Sequence, residues 1–321
     1  MGTSVLQNET IHNLDTYNKK TLVIEPTTTN WLDGIIYSKN DSKISLLKIM
    51  GKPLILYNIE KLLFLKYNIN NIILPGNLSH LANLIQDNFP FIQIDEHKNK
   101  DKLTVSDSVK MPLNSVVTKS KGTDNYVIKK MVYPWDILKV MHDILNADIT
   151  STVISKNASI AETAIVKGPC VIEDGVSIDD FTKIIGPIYL GKNTKIGTGS
   201  LVRHSMMGND MVVGFNCEIA RSFFMGNSKI AHIDVILDSI IGQDCWLGGY
   251  VGTTNVMLNK ETIRYKLDGL LVSTGLDQLG SVIGYNCAIG ARTIILPGRF
   301  VPPNSTIQAG TVFSRLECNN I

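Results

Sequence analysis

The chain has 321 residues, 44% of them apolar and 19% charged, which is the balance of a folded protein with a sizeable core and room for two domains. Lys and Arg number 31 against 29 Asp and Glu, so no overall field draws it to nucleic acid or to an anionic membrane, and any anion site has to be local. No apolar run approaches a membrane span, and residues 1–20 are polar, without the apolar core of a signal peptide. These features predict a cytoplasmic protein with no membrane or nucleic-acid partner and a disordered or loosely ordered N-terminal segment 1–20.

From Thr21 to residue 132 the pattern is α/β. A strand Leu22-Val-Ile-Glu precedes a helix-like run Leu54 to Leu65, a strand Ile72-Ile-Leu, a helix Leu78 to Asp87 and a β segment Phe91 to Ile94, followed by a charged linker His97 to Lys102. Strands alternating with helices predict a small parallel sheet. Tyr133-Pro-Trp-Asp-Ile-Leu then opens a linker helix within 133–150.

From about Ile154 an aliphatic residue recurs at every sixth position: Ile154, Ile160, Val166, Ile172, Ile178, Ile184, Leu190, Ile196 and Val202. After a one-residue slip the series resumes at Met207, Val213, Ile219 and Met225, again at Ile241 and Leu247, and finally runs from Ile283 to Ile307. A 3.6-residue period cannot produce this spacing. Three short strands per coil, with the aliphatic side chain inward and Gly, Asn or Asp at the bends, predict an all-β left-handed parallel β-helix over 151–313 and a short tail 314–321. The five cysteines (Cys170, Cys217, Cys245, Cys287, Cys318) are odd in number and lack CxxC spacing, so neither disulfides nor a metal site is expected. Four of them share one register of the repeat with small residues such as Thr182, Thr194 and Ser200, which predicts burial.

The segment Met50-Gly-Lys-Pro-Leu-Ile-Leu-Tyr-Asn resembles a stretch of sugar-1-phosphate nucleotidyltransferases, and Leu201 to Asn255 resembles the acetyltransferase half of the bifunctional archaeal enzymes that join such a domain to a β-helix. The resemblance covers most of the chain from Thr21 to Phe313 and implies a truncated, Rossmann-like nucleotidyltransferase-like domain followed by an acyltransferase-like β-helix. The family's Gly-rich phosphate loop is replaced by Glu25-Pro-Thr-Thr-Thr-Asn-Trp-Leu-Asp-Gly, and the domain is shorter than its relatives, so no nucleotidyl transfer is expected. Lys52 reads as a phosphate ligand or, more commonly, a solvated lysine.

In the β-helix the resemblance implies sugar-phosphate contacts from Arg203, Arg221 and Asp238, a general base at His232, and a donor to the thioester oxygen at Asn255. It implies acetyl-CoA as co-substrate, an amino-sugar phosphate or nucleotide sugar as acceptor, and a homotrimer; Lys260, Arg264 and Lys266, clustered in the insertion, read as cations for the CoA phosphates or, more commonly, as a solvated loop, with Arg292 and Arg299 of the last coils as further candidates. The sequence departs from the pattern at Val235 (Tyr in the family), Trp246 (Asn), Leu237 (Gly) and Asp277-Gln278 (Lys). Losing these polar groups argues against full glucosamine-1-phosphate acetyltransferase activity. A CoA-dependent N-acetyltransferase is therefore weighed against a non-catalytic sugar-phosphate-binding or scaffold homologue. The joint, ordered match of Arg203, Arg221, His232 and Asn255 favours the first. All three of Arg203, Arg221 and His232 are expected on adjacent rungs near one corner. A zinc-dependent carbonic anhydrase is set aside, since only His204 and His232 lie in the β-helix.

Overall fold

A computed structural model describes residues 8–10, 21–25, 47–97, 108–119, 126–267 and 269–314. Residues 26–34 of the atypical phosphate loop, the linker beyond His97, Cys318 and the tail after Ser314 lie outside the described residues. The chain divides into two compact units, one ending at Val132 and one continuing from Tyr133. No helix among the described residues is long and apolar enough to cross a membrane.

The first unit holds a four-stranded parallel sheet in the order Gln93–His97, Asn71–Pro75, Thr21–Glu25, Ser108–Pro112. Numbered along the chain this is 3-2-1-4, the doubly wound order of Rossmann-like domains. The strand Thr21–Glu25 is buried over its central residues, as an interior parallel strand covered on both sides should be. An antiparallel sheet, Asn8–Thr10, Tyr126–Lys130 and Ser115–Lys119, completes the unit. Asn8–Thr10 lies inside the segment expected to be loosely ordered and is instead a strand. The helix Leu54–Phe64 is joined to Ser115–Lys119 by one buried side chain: Asn58 Nδ2 donates to the Ser115 carbonyl (2.8 Å), and the Val117 amide donates to Asn58 Oδ1 (2.9 Å). Lys52 pairs with Glu60 of that helix.

The second unit is the parallel β-helix. Three eight-stranded parallel sheets make its faces, and each coil contributes one strand to each. The inward row includes Ile172, Ile178, Ile184, Leu190, Ile196, Val202, Met207, Val213 and Ile219, all of them buried. Cys170, Cys217, Cys245 and Cys287 are buried beside it, in the packing role their register predicts.

Coil length is not constant. Register partners on the first face are 18 residues apart from Val153 to Val171 to Tyr189, then 17 apart from Tyr189 to Met206 to Phe223 to Ile240. After an insertion spanning 254–280 the spacing returns to 18, from Val282 to Phe300. Hence the slip recurs in each of three coils, and the inward residue after Ile219 is Phe224, followed by Ile230, Ile236 and Ile241. The assignment of Met225 to that row is corrected by this: Met225 is buried, but at the next corner, outside the prism core. Each shortened coil loses its residue at the corner between the third and first faces, where the inward step is five residues (Val202 to Met207, Ile219 to Phe224, Ile236 to Ile241) instead of six.

On the first face the outward row Tyr189, Met206, Phe223, Ile240 and Val282 is apolar and buried. The helix Asp136–Asp148 lays its apolar stripe (Ile137, Val140, Met141, Ile144, Leu145) against this side at Phe223–Phe224. The inserted hairpin Arg264–Leu267/Leu270–Ser273 packs Tyr265 between Trp135 and Phe300. The third face keeps an exposed outer surface, and it is there that the candidate residues gather.

Candidate active site on the third face

The tight corner of each shortened coil places one residue in the left-handed region: His204 (φ 50°), Arg221 (φ 49°) and Asp238 (φ 45°). Because these coils are 17 residues long, these residues stack into a column that ends at Asn255. Within it Arg221 Nε and Nη2 donate to the two carboxylate oxygens of Asp238, each at 2.7 Å, and Asn255 Nδ2 donates to Asp238 Oδ2 at 2.6 Å. A planar guanidinium fork on a carboxylate is the strong, geometrically specific form of ion pair. Donating to the Asp238 carboxylate raises the Arg221 pKa above its ordinary value. His204 is held below the usual imidazole range, first by burial and then by the neighbouring Arg203, Arg221 and His142. One residue further on, Ser205, Ser222 and Ser239 form a buried ladder in which each hydroxyl accepts the amide of the next rung: Ser222 to Ser205 and Ser239 to Ser222 (3.1 Å each), and Ser281 to Ser239 (3.0 Å).

Arg203 ends the third-face strand one coil earlier, in register with Ala220 and, beyond it, Leu237. Its Nη2 donates to Glu218 Oε1 at 2.6 Å. Glu218 begins the strand Glu218–Ala220, so the guanidinium turns back over the third face.

His232 stands at the other edge of this face. The corner Ala231 to Asp234 joins the second face to the third and has the regular length, so His232 is not at a slip. Its imidazole is exposed and stacks on Phe215 from the preceding coil (centroids 4.9 Å, planes 10° apart), with Tyr250 of the following coil edge-on at 6.4 Å. Arg292 continues this edge, its guanidinium carbon 5.8 Å from the Tyr250 ring centre. Gly249 leaves room beneath the imidazole: a Cβ there would lie 2.9 Å from His232 Nε2, so the ring would have to move.

The expectation of one shared corner is thus corrected: His232 and the Arg203/Arg221 group bracket one face from opposite edges. Six chain steps separate His232 from Asp238, roughly 20 Å at most for extended backbone. Val235 lies between them on the outer surface, in the register of Glu218 and Gly252. Neither Arg203 nor Arg221 is an uncompensated cation, because each holds a carboxylate. Asp238 is almost fully buried and is occupied by Arg221 and Asn255, which makes it the residue that sets their positions. Trp246 projects from the second face, half exposed, in register with Lys229 and Ala288, and does not cover the third.

The remaining cations separate. Lys260 and Arg264 are exposed on the insertion. Arg299 is nine-tenths buried and its Nη1 donates to the Pro297 carbonyl at 2.7 Å, so its guanidinium is turned inward, away from any CoA phosphate in solvent. Glu218, His204, Phe215, Gly249 and Tyr250 are neighbours of the site that motif reading missed. Counting in steps of 17 finds three of them: Phe215, His232 and Gly249 form one series, and His204, Arg221, Asp238 and Asn255 another.

A family model described as the GMPPB C-terminal domain matches residues 184–316, the span that contains both edges. A bifunctional sugar-1-phosphate nucleotidylyltransferase/acetyltransferase of Sulfurisphaera tokodaii is 27% identical over 243 residues, covering 73% of this chain and 60% of that protein. The bifunctional protein GlmU of Methanococcus vannielii is 30% identical over 183 residues, 57% of this chain and 43% of that one. An uncharacterised acetyltransferase of Escherichia coli, YaiX, is 30% identical over 163 residues, 45% of this chain and 70% of its own length. The chain belongs to the same family as this acetyltransferase and is similar over part of their length to the bifunctional sugar-1-phosphate nucleotidylyltransferase/acetyltransferases. It spans about half the length of the two bifunctional relatives.

Proposed function

We propose that the β-helix transfers an acyl group, acetyl in the first instance, from coenzyme A to the amine of an amino-sugar phosphate or nucleotide sugar, with His232 as general base. The observation that carries this reading is an exposed imidazole held at one edge of the third face, between Phe215 and Gly249, with an ordered Arg–Asp–Asn group at the other edge. A hexosamine phosphate laid across the face presents its amine to His232 and its phosphate to Arg203 and Arg221. Binding there exchanges the Glu218 partner of Arg203 for phosphate oxygens, while Arg221 stays oriented by Asp238.

His232 takes a proton from the amine as nitrogen attacks the thioester carbonyl. The C–S bond then breaks, and the proton passes to the departing thiolate. Asn255 stands with Arg221, so in one prism it serves the acceptor side. A thioester-oxygen donor near His232 has to come from backbone amides or from a second copy of the chain, which supports a trimer with sites between prisms. Lys260, Arg264 and Arg292, all exposed, are the candidate cations for the CoA phosphates, and nucleotidyl transfer is not part of the proposal.

The second reading is a non-catalytic sugar-phosphate-binding or scaffold homologue, favoured by the internal pairing of both arginines. Thiol release from acetyl-CoA with a panel of amino-sugar phosphates, wild type beside His232→Ala, separates the two. Turnover that His232→Ala abolishes supports the enzyme; no turnover with any acceptor, together with no CoA binding by calorimetry, leaves the scaffold.

A further inference from the structure

The buried position just inside the corner between the second and third faces is filled coil by coil by Thr182, Ser200, Cys217, Asp234, Val251 and Thr293. The hydroxyls tie neighbouring coils together. Thr182 Oγ1 donates to the Gly197 carbonyl (3.1 Å), Ser200 Oγ to the Gly214 carbonyl (2.9 Å) and Thr293 Oγ1 to the Gln308 carbonyl (3.3 Å), while Ser200 Oγ also accepts the Cys217 amide (3.0 Å). Asp234 is the one carboxyl in this series and is fully buried. Its Oδ1 accepts the Val251 amide at 2.7 Å, as Ser200 accepts that of Cys217. Its Oδ2 is buried with no hydrogen-bond partner. By register, the carbonyl in the place of Gly197 and Gly214 is that of Gly248, an acceptor. An ionised Oδ2 can make no bond to a carbonyl in that place, whereas a protonated one can donate to it.

We propose that Asp234 is a positioning residue for His232: as a neutral carboxylic acid it joins the coil carrying His232 to the coil carrying Gly249, and loss of its proton loosens the corner on which the imidazole stands. Asp234 is two residues from His232, and its amide acceptor role fixes Val251, next to Tyr250 and two residues from Gly249. The titratable group beside it is the Cys217 thiol from the coil before; Val251 follows in the coil after, and His232 is two residues away on its own corner with its ring exposed on Phe215. Burial pushes the carboxyl up to about 7, outweighing the lowering by backbone groups of Val251, Ala231 and Tyr250. The role rests on His232 being the base, since only then does the ring's position affect a reaction.

The test reads ring position directly and so fails or succeeds apart from that reading. In the full chain labelled at histidine Cε1, the His232 resonance, identified by its loss in His232→Gln, carries the ring-current shift of Phe215. Wild type is expected to show a second inflection near pH 7 beyond the imidazole's own titration. Asp234→Asn and Asp234→Thr, which keep a neutral donor and acceptor, are expected to hold the Phe215 shift without that inflection. Asp234→Ala is expected to lose the shift at every pH while melting cooperatively. Identical titrations for wild type and Asp234→Asn, or an unchanged shift in Asp234→Ala, would overturn the proposal. Should acyl transfer be found, kcat/KM of wild type is expected to fall above pH 7 relative to Asp234→Asn, with KM for the acceptor less affected.

Discussion

Replacing Asp238 by Ala removes the acceptor of three hydrogen bonds, two from the Arg221 guanidinium at 2.7 Å and one from Asn255 at 2.6 Å. Breaking a buried ion pair by deleting one partner costs about 3–5 kcal/mol, because the other charge is left without compensation. Here the Asp238 side chain is 11% exposed but that of Arg221 is 33% exposed, so water recovers part of the loss. The expected cost is ~2–3 kcal/mol, above the ~1 kcal/mol ceiling of surface pairs. Urea unfolding followed by far-ultraviolet circular dichroism measures it, and the cycle with Arg221→Met isolates the pair's coupling from the other losses. A cost below ~1 kcal/mol, or no coupling in the cycle, would refute the view that Asp238 orders the acceptor end of the site.

Phe224→Ala should destabilise the β-helix by about 3–5 kcal/mol, and Met225→Ala by at least about 1 kcal/mol less, since only Phe224 points into the prism; the reverse order in denaturant melts would contradict the recurring slip. Gly249→Ala should leave stability within about 1 kcal/mol, as the clash falls on the movable His232 ring, yet lower acyl-transfer kcat/KM at least about tenfold. The Asp234 carboxyl is raised from 3.8 to about 7, so between those pH values the folded chain holds a proton that the unfolded chain releases. Its contribution is therefore complete below about pH 4 and is lost as pH rises to about 7, a change on the order of 4 kcal/mol that Asp234→Asn should lack in melts across that range.

The faces of the prism were legible because six-residue spacing of Ile, Val and Leu admits no other backbone. The first slip was legible too, but its recurrence was hidden where Phe224 and Met225 lie side by side, both apolar and both buried. Hydrophobicity cannot choose between neighbours of like character; register did. The corner placement of His232 followed the same fault, since a correct count sets it six residues before Asp238, across a face. Burial of Arg299 was not readable at all, because it depends on the Pro297 carbonyl turning toward its guanidinium. In the first unit the strands after Ser108 went unseen: Ser108-Val-Lys-Met-Pro alternates too briefly to mark a strand, and its pairing with Thr21–Glu25 is long-range.

The shortened coils and the polar column are one feature seen twice. In the 18-residue coils the corner between the third and first faces reads Gly168-Pro169, Gly186-Pro187 or Pro297-Gly298, residues that bend the chain but offer no polar side chain to the surface. Deleting a residue leaves a tighter bend that needs a left-handed residue followed by an inward hydroxyl, and His204-Ser205, Arg221-Ser222 and Asp238-Ser239 supply it. The left-handed position costs a residue with a Cβ on the order of 1 kcal/mol or more. Here the serine ladder and the Arg221–Asp238–Asn255 bonds offset that cost by joining each corner to the next. The same vertical stacking that stabilises the bend aligns Arg203 and Arg221 along the edge of the face opposite His232. A single-residue insertion after Arg221 would therefore strike the fold and the acceptor end together, whereas one in the 18-residue coils would not reach this edge.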